Sequence, residues 1–103
     1  MDSIMETQAI LIKEEDNVAT ALTNLDAGSE VNVKTGEDKI FVSVKDAIPS
    51  GHKFAVKKIL KGESIIKYGE IIGRATEDID SGRHAHIQNI ESLRGRGDRE
   101  GDL

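Results

Sequence analysis

Hydrophobic and polar residues alternate along this chain in short bursts, with glycines between them. Ala9-Ile10-Leu11-Ile12 is a brief apolar run that reads as a buried strand. Glu30-Val31-Asn32-Val33-Lys34 alternates with period two, as a half-buried strand does. Thr35-Gly36-Glu37-Asp38 supplies a turn, and Lys39 to Val44 returns as the hairpin partner. The theme recurs in Phe54-Ala55-Val56 with Ile59-Leu60, in Ser64 to Tyr68, in Glu70 to Ala75 and in His84 to Gln88. Gly69 and Gly73 inside this pattern suggest bulges or close backbone approach. One segment has helical spacing. Val18, Ala21, Leu22 and Leu25 share a face, Asp16 or Asn17 can cap its start, and Gly28 stands where a helix would stop. The expected fold is mainly β, a small barrel or clip with one short helix near the N-terminus, rather than βαβ units.

A chain of 103 residues makes one domain. Residues 1–7 read as a leader, 8–91 as the domain, and 92–103 as a charged, glycine-rich tail that should be flexible alone. Tyr68, Phe41 and Phe54 are the only aromatic residues, so the core must come from Ile, Val, Leu and Ala. With so few aromatics, Tyr68 is expected partly in the core and Lys67 pointing outward. Cysteine is absent, which excludes disulfides and thiolate metal sites. No apolar run approaches the ~20 residues of a membrane span, and the N-terminus lacks a signal-peptide pattern. A soluble cytoplasmic protein, with no membrane partner, is the expectation.

The net charge of −5 is unevenly spread. Residues 1–50 carry 4 basic and 10 acidic side chains, residues 51–74 carry 6 and 2, and residues 75–103 carry 4 and 7. The one basic segment attracts anions. An acidic chain without stacking aromatics argues against nucleic acid.

Candidate chemistry gathers at glycine-marked turns near that segment. His52 and Lys53 follow Pro49-Ser50-Gly51, Lys67 and Tyr68 precede Gly69, and His84 and His86 follow Gly82. Loops on a rigid scaffold are where binding and catalytic groups concentrate. His84 and His86 are two apart, so on a strand they share a face and could ligate a metal or move a proton. The alternative is a pair of surface histidines on an edge strand. Lys53 can hold a carboxylate as a point charge. His52 can shuttle a proton, or can fix its turn by bonding a carbonyl. Lys67 and Tyr68 could bind an anionic substrate, although neighbouring strand residues point to opposite faces. Lys57, Lys58 and Lys61 are equally well read as solvated. No phosphate loop or nucleophile–base pair is present.

The ordered pattern Ile48-Pro49-Ser50-Gly51-His52-Lys53, Ile66-Lys67-Tyr68-Gly69, Ile72-Gly73-Arg74-Ala75-Thr76 and Gly82-Arg83-His84-Ala85-His86-Ile87-Gln88-Asn89 resembles the SAF-type (β-clip) domain of the altronate/galactarate dehydratase family. Asp16-Asn17-Val18 also fits, and the likeness runs from about Ala9 to Asp98. The resemblance implies a SAF-like β-clip serving as the small subunit of a sugar-acid dehydratase, inactive alone and completed by a large catalytic subunit. It implies elimination of water from a small anionic sugar acid, giving a 2-keto-3-deoxy acid. It also implies a divalent metal, iron by preference, held mainly by the partner. On that reading His84, His86 and His52 are catalytic, and His84 and His86 are auxiliary metal ligands. Lys53, Lys67, Tyr68, Gln88 and Asn89 then bind substrate. Many relatives have a histidine where this chain has Gln88, which leaves an amide to meet substrate oxygens. A sulfolactate sulfo-lyase small subunit and a non-catalytic SAF binding module are the rival readings.

Overall fold

A computed structural model describes residues 7–92. Among the described residues there are nine strands and no helix. They are β1 (Ala9–Leu11), β2 (Val18–Ala21), β3 (Glu30–Thr35), β4 (Asp38–Ser43), β5 (Lys53–Ala55), β6 (Ser64–Lys67), β7 (Glu70–Ala75), β8 (His84–Ala85) and β9 (Ile90–Ser92). A six-stranded sheet runs β4-β3-β1-β2-β5-β8, and a three-stranded sheet runs β6-β7-β9. Only β1 and β3 pair in parallel; the other neighbours are antiparallel. The expected β3–β4 hairpin is present, with Thr35 opposite Asp38. Gly73 meets the close approach expected of it, since an added Cβ would stand 2.6 Å from the Glu91 carbonyl oxygen. Of the expected tail, 92–103, only Ser92 is described, as the end of β9, and of the expected leader, 1–7, only Thr7; the rest of both lies outside the described residues.

The short helix is a correction. Residues 18–21 form β2, wedged between β1 and β5, with Ala21 opposite Ala9 and Val18 opposite Ala55. Val18, Ala19 and Ala21 are all buried, so both faces of the segment are covered, which a one-sided surface helix cannot satisfy. Leu22, assigned to the inner helical face, is half exposed. Without β2, the edges of β1 and β5 that face it would stand unpaired. That tertiary demand outweighs a local period of 3.6.

The scaffold repeats itself. Ala21, Leu25, Gly28 and Val31 recur at the same spacing as Val44, Ile48, Gly51 and Phe54, then as Ala55, Ile59, Gly62 and Ile65, then as Ala75, Ile79, Gly82 and Ala85. Every apolar member of these sets is buried. Each glycine has φ between 88° and 90°, a region where a side chain would cost about 1–2 kcal/mol. The four turns pair off. Leu25 bridges Ile48, while Gly28 N–H donates to Val44 and Gly51 N–H to Ala21. Ile59 bridges Ile79, while Gly62 N–H donates to Ala75 and Gly82 N–H to Ala55. The first pair packs in one hydrophobic cluster around Phe54 and the second in another around Ile59 and Ile65. The chain is thus two clasped pairs of equivalent turns, a mainly β clip.

Candidate metal and anion site

The pairing of β5 with β8 builds the site. Phe54 stands opposite His84 and Lys53 opposite Ala85 in an antiparallel pair, a register that carries His52, just before β5, toward His86, just after β8. His52 leaves the first turn just before β5. His84 and His86 flank Ala85, whose side chain is fully buried in the core. The three imidazoles therefore collect on one side, with ring centroids 4.6 to 5.4 Å apart. His52 Nδ1 lies 2.9 Å from His84 Nε2, and one nitrogen from each ring falls within 4.8 Å of the others.

Neighbouring polar groups hold this arrangement. Asp46 accepts the His84 backbone N–H at 3.0 Å and the Arg83 guanidinium at 2.9 Å. Those two donors, the His84 N–H foremost, hold the Asp46 carboxyl below its ordinary value. Sequence reasoning missed Asp46, because nothing local marks a residue that pairs so far along the chain. Asn89 is buried. Its Oδ1 accepts from His86 N–H and its Nδ2 donates to the His84 carbonyl, both at 2.9 Å. The Asn89 amide thus closes the turn after β8. Gln88 is exposed, with Nε2 3.5 Å from the same carbonyl.

Beside the histidines lies a groove of about 350 Å3. Lys53, Lys67, Tyr68 and His86 form its polar wall, and Ile72, Ile87 and Ile90 its apolar one. Lys67 and Tyr68 both line it, contrary to the rule for adjacent strand residues, because β6 ends at Lys67 and Tyr68 turns back at φ 59°. The Lys67 ammonium sits 5.0 Å from the Tyr68 ring centroid. Tyr68 is 53% exposed, which corrects its expected place in the core. Ile, Val and Phe54 fill the interior without it.

Electrostatics suit an anion and a Lewis acid. Burial, and then the Lys67 charge, lowers the Lys53 ammonium below its ordinary value, a penalty that a bound anion relieves. Burial and the neighbouring histidines lower His84, with Asp46 opposing weakly. Burial, His52 and Lys53 lower His86 in the same direction. Neutral imidazoles keep lone pairs free for a metal or a proton. His52 Nδ1 and His84 Nε2, 2.9 Å apart, share a hydrogen bond, and two nitrogens on one octahedral cation at about 2.1 Å and a right angle would stand about 3 Å apart. The trio can therefore hold a divalent cation of the kind imidazole prefers, such as zinc or iron.

The described residues thus form a two-sheet β clip that carries a histidine trio beside a groove lined by two lysines. Residues 7–93 match the altronate/galactarate dehydratase SAF domain, and the chain belongs to that family. It is 45% identical over 85 residues to altronate dehydratase of Escherichia coli and 37% identical over 83 residues to that of Bacillus subtilis. These alignments cover 82% and 81% of this chain but 16% of each dehydratase. It is also 38% identical over 63 residues to the (2R)-sulfolactate sulfo-lyase subunit alpha of Paracoccus pantotrophus, covering 60% of this chain and 94% of that subunit.

Proposed function

We propose that this chain is the small, substrate-facing subunit of a sugar-acid dehydratase, completed by a larger catalytic partner. The observation that carries the reading is the cluster of His52, His84 and His86, of which His86 also lines a groove walled by Lys53 and Lys67. Dehydration of a sugar acid removes the proton α to the carboxylate, breaks the C–O bond at the next carbon, and leaves an enol that becomes the 2-keto-3-deoxy acid. Lys53 and Lys67 clamp the substrate carboxylate, and Tyr68 donates to a hydroxyl. His86, at the groove, and His84 behind it are kept neutral, so either can accept the proton and return one to the departing hydroxide. His52, and whichever of His84 and His86 does not carry the proton, would hold the divalent metal together with ligands from the partner, and the metal would supply charge stabilisation of the enediolate oxygens.

The 94% coverage of the Paracoccus subunit supports a second reading, a sulfo-lyase small subunit. The same carboxylate clamp and base serve a substrate whose leaving group is sulfite. The deciding experiment is co-purification of the tagged chain with its partner, followed by assays on altronate, galactarate and sulfolactate. Release of water from a sugar acid supports the first reading and release of sulfite the second. A complex inert on all three sinks both. Full turnover by the chain alone removes the subunit role.

A further inference from the structure

The carboxylate of Asp16 is fully buried and accepts three backbone N–H groups. Lys13 donates at 3.1 Å from its own loop, whereas Tyr68 at 3.0 Å and Gly69 at 2.8 Å donate from the distant β6–β7 turn. Asn17 grips the strand leading into that turn. Its Oδ1 accepts from Ile66 N–H at 2.8 Å, and its Nδ2 donates to the Ser64 carbonyl at 2.9 Å. The turn itself breaks a local rule. Lys67 pairs with Glu70, so Tyr68 and Gly69 form a two-residue hairpin loop with φ of 59° and 74°. Loops with both residues at positive φ favour Asn-Gly, and a tyrosine in the first position is disfavoured. The N–H groups of both loop residues also lack a partner within such a hairpin. Asp16 supplies the acceptor for each, and only a group with two acceptor oxygens and no donors suits that position. Strained residues of this kind persist where the surroundings over-determine them, and they concentrate at ligand sites.

We propose that Asp16 is a positioning residue: it holds Tyr68 and Gly69 in a disfavoured turn so that Lys67 and Tyr68 close one wall of the anion groove. The proposal rests on the reading of that groove as a site for a small hydroxy-carboxylate. Asp16 touches no ligand, and its effect passes through the turn.

The test uses the full chain, with galactarate as the probe and binding followed by NMR titration. Asp16→Asn replaces one acceptor oxygen with a donor that faces other donors. It should weaken galactarate binding about tenfold, on the scale of one lost charge-assisted hydrogen bond, while the ring resonances of His52, His84 and His86 stay in place. Tyr68→Asn supplies the residue the turn favours, so it should melt higher than the wild type and yet bind galactarate more weakly. In the unaltered chain the amides of Tyr68 and Gly69 should exchange slowly despite their place at a hairpin tip. This measurement stands even if the Asp16 variant does not fold. Fast exchange of those amides overturns the positioning role. So does unchanged galactarate binding by either variant, or displacement of the histidine resonances along with the turn. A wild-type chain that does not bind galactarate overturns the groove itself, and the positioning role with it.

Discussion

The turns at Gly28 and Gly62 and those at Gly51 and Gly82 share a backbone, down to a φ of 88° to 90°. Their side chains differ. After Gly28 come Ser29 and Glu30, and after Gly62 come Glu63 and Ser64. After Gly51 come His52 and Lys53, and after Gly82 come Arg83 and His84. Their neighbours differ as well. The strand after Gly51 pairs with the strand after Gly82, whereas the strands after Gly28 and Gly62 lie in separate sheets. A repeated clip therefore offers equivalent turns, and the histidine cluster arises only where the strands that follow two of them pair. The backbone repeat is scaffold, and the side chains that follow each glycine distinguish one turn from another.

The comparison can be broken at its glycines first, where the largest effect is expected. An added Cβ at Gly82 would stand 2.1 Å from the Ser43 carbonyl oxygen, whereas at Gly28 it meets nothing within 4 Å. Gly82→Ala should cost more than about 4 kcal/mol, an exceptional loss for one substitution, and Gly28→Ala only about 1–2 kcal/mol. Urea midpoints of the two variants check this, and equal losses would remove the distinction between a crowded and an open turn.

The next contrast concerns turnover in the proposed dehydratase complex. His84→Gln or His86→Gln should lower it by about 10²–10⁴-fold, as loss of a proton-transfer group does. Ser64→Ala, at the place in its repeat that His84 holds in its own, should leave it unchanged. A normal rate together with a lowered melting temperature would make the histidines structural. Lys53→Gln should weaken sugar-acid binding about tenfold through loss of one charge-assisted hydrogen bond, and Glu30→Gln, at the matching place, should not; isothermal titration separates them.

The smallest effect is in pH. His84 and His86 both sit below the ordinary histidine value of 6.5 in the folded chain. The unfolded chain then binds protons first on acidification, so this part of the stability is present above 6.5 and is lost as pH falls through the folded values. Melting temperature should decline from about pH 8 to about pH 5, and the decline should be shallower in His84→Gln. An identical slope in variant and wild type would show that His84 is not held neutral.

Much of the fold was legible. The alternation around Val31 and Val33 identified the β3–β4 hairpin, and the turn glycines marked most strand ends. The repeat of apolar residue, Leu or Ile, glycine and apolar residue was also written in the chain. It went unread because its intervals are neither 2 nor 3.6 and each unit alone resembles an ordinary turn. Asp16 and Asn17 were recognised as capping residues, but they cap the distant β6–β7 hairpin and not a helix. A carboxylate that accepts backbone N–H groups looks the same in sequence whichever backbone it serves. Tyr68 was misplaced for a related reason, since no residue near it announces a positive φ.

The sequence by itself determined the β character, the turn positions and the identities of the reactive groups, because residue period, glycine conformation and side-chain chemistry are local properties. Only the tertiary structure decided that residues 18–21 are a strand, that Asp46 and Asp16 brace remote turns, and that His52 meets His84 and His86. Those outcomes depend on which strands pair across long stretches of chain. Pairing is settled by the burial and edge hydrogen bonding of the whole sheet, and no short window of sequence carries that information.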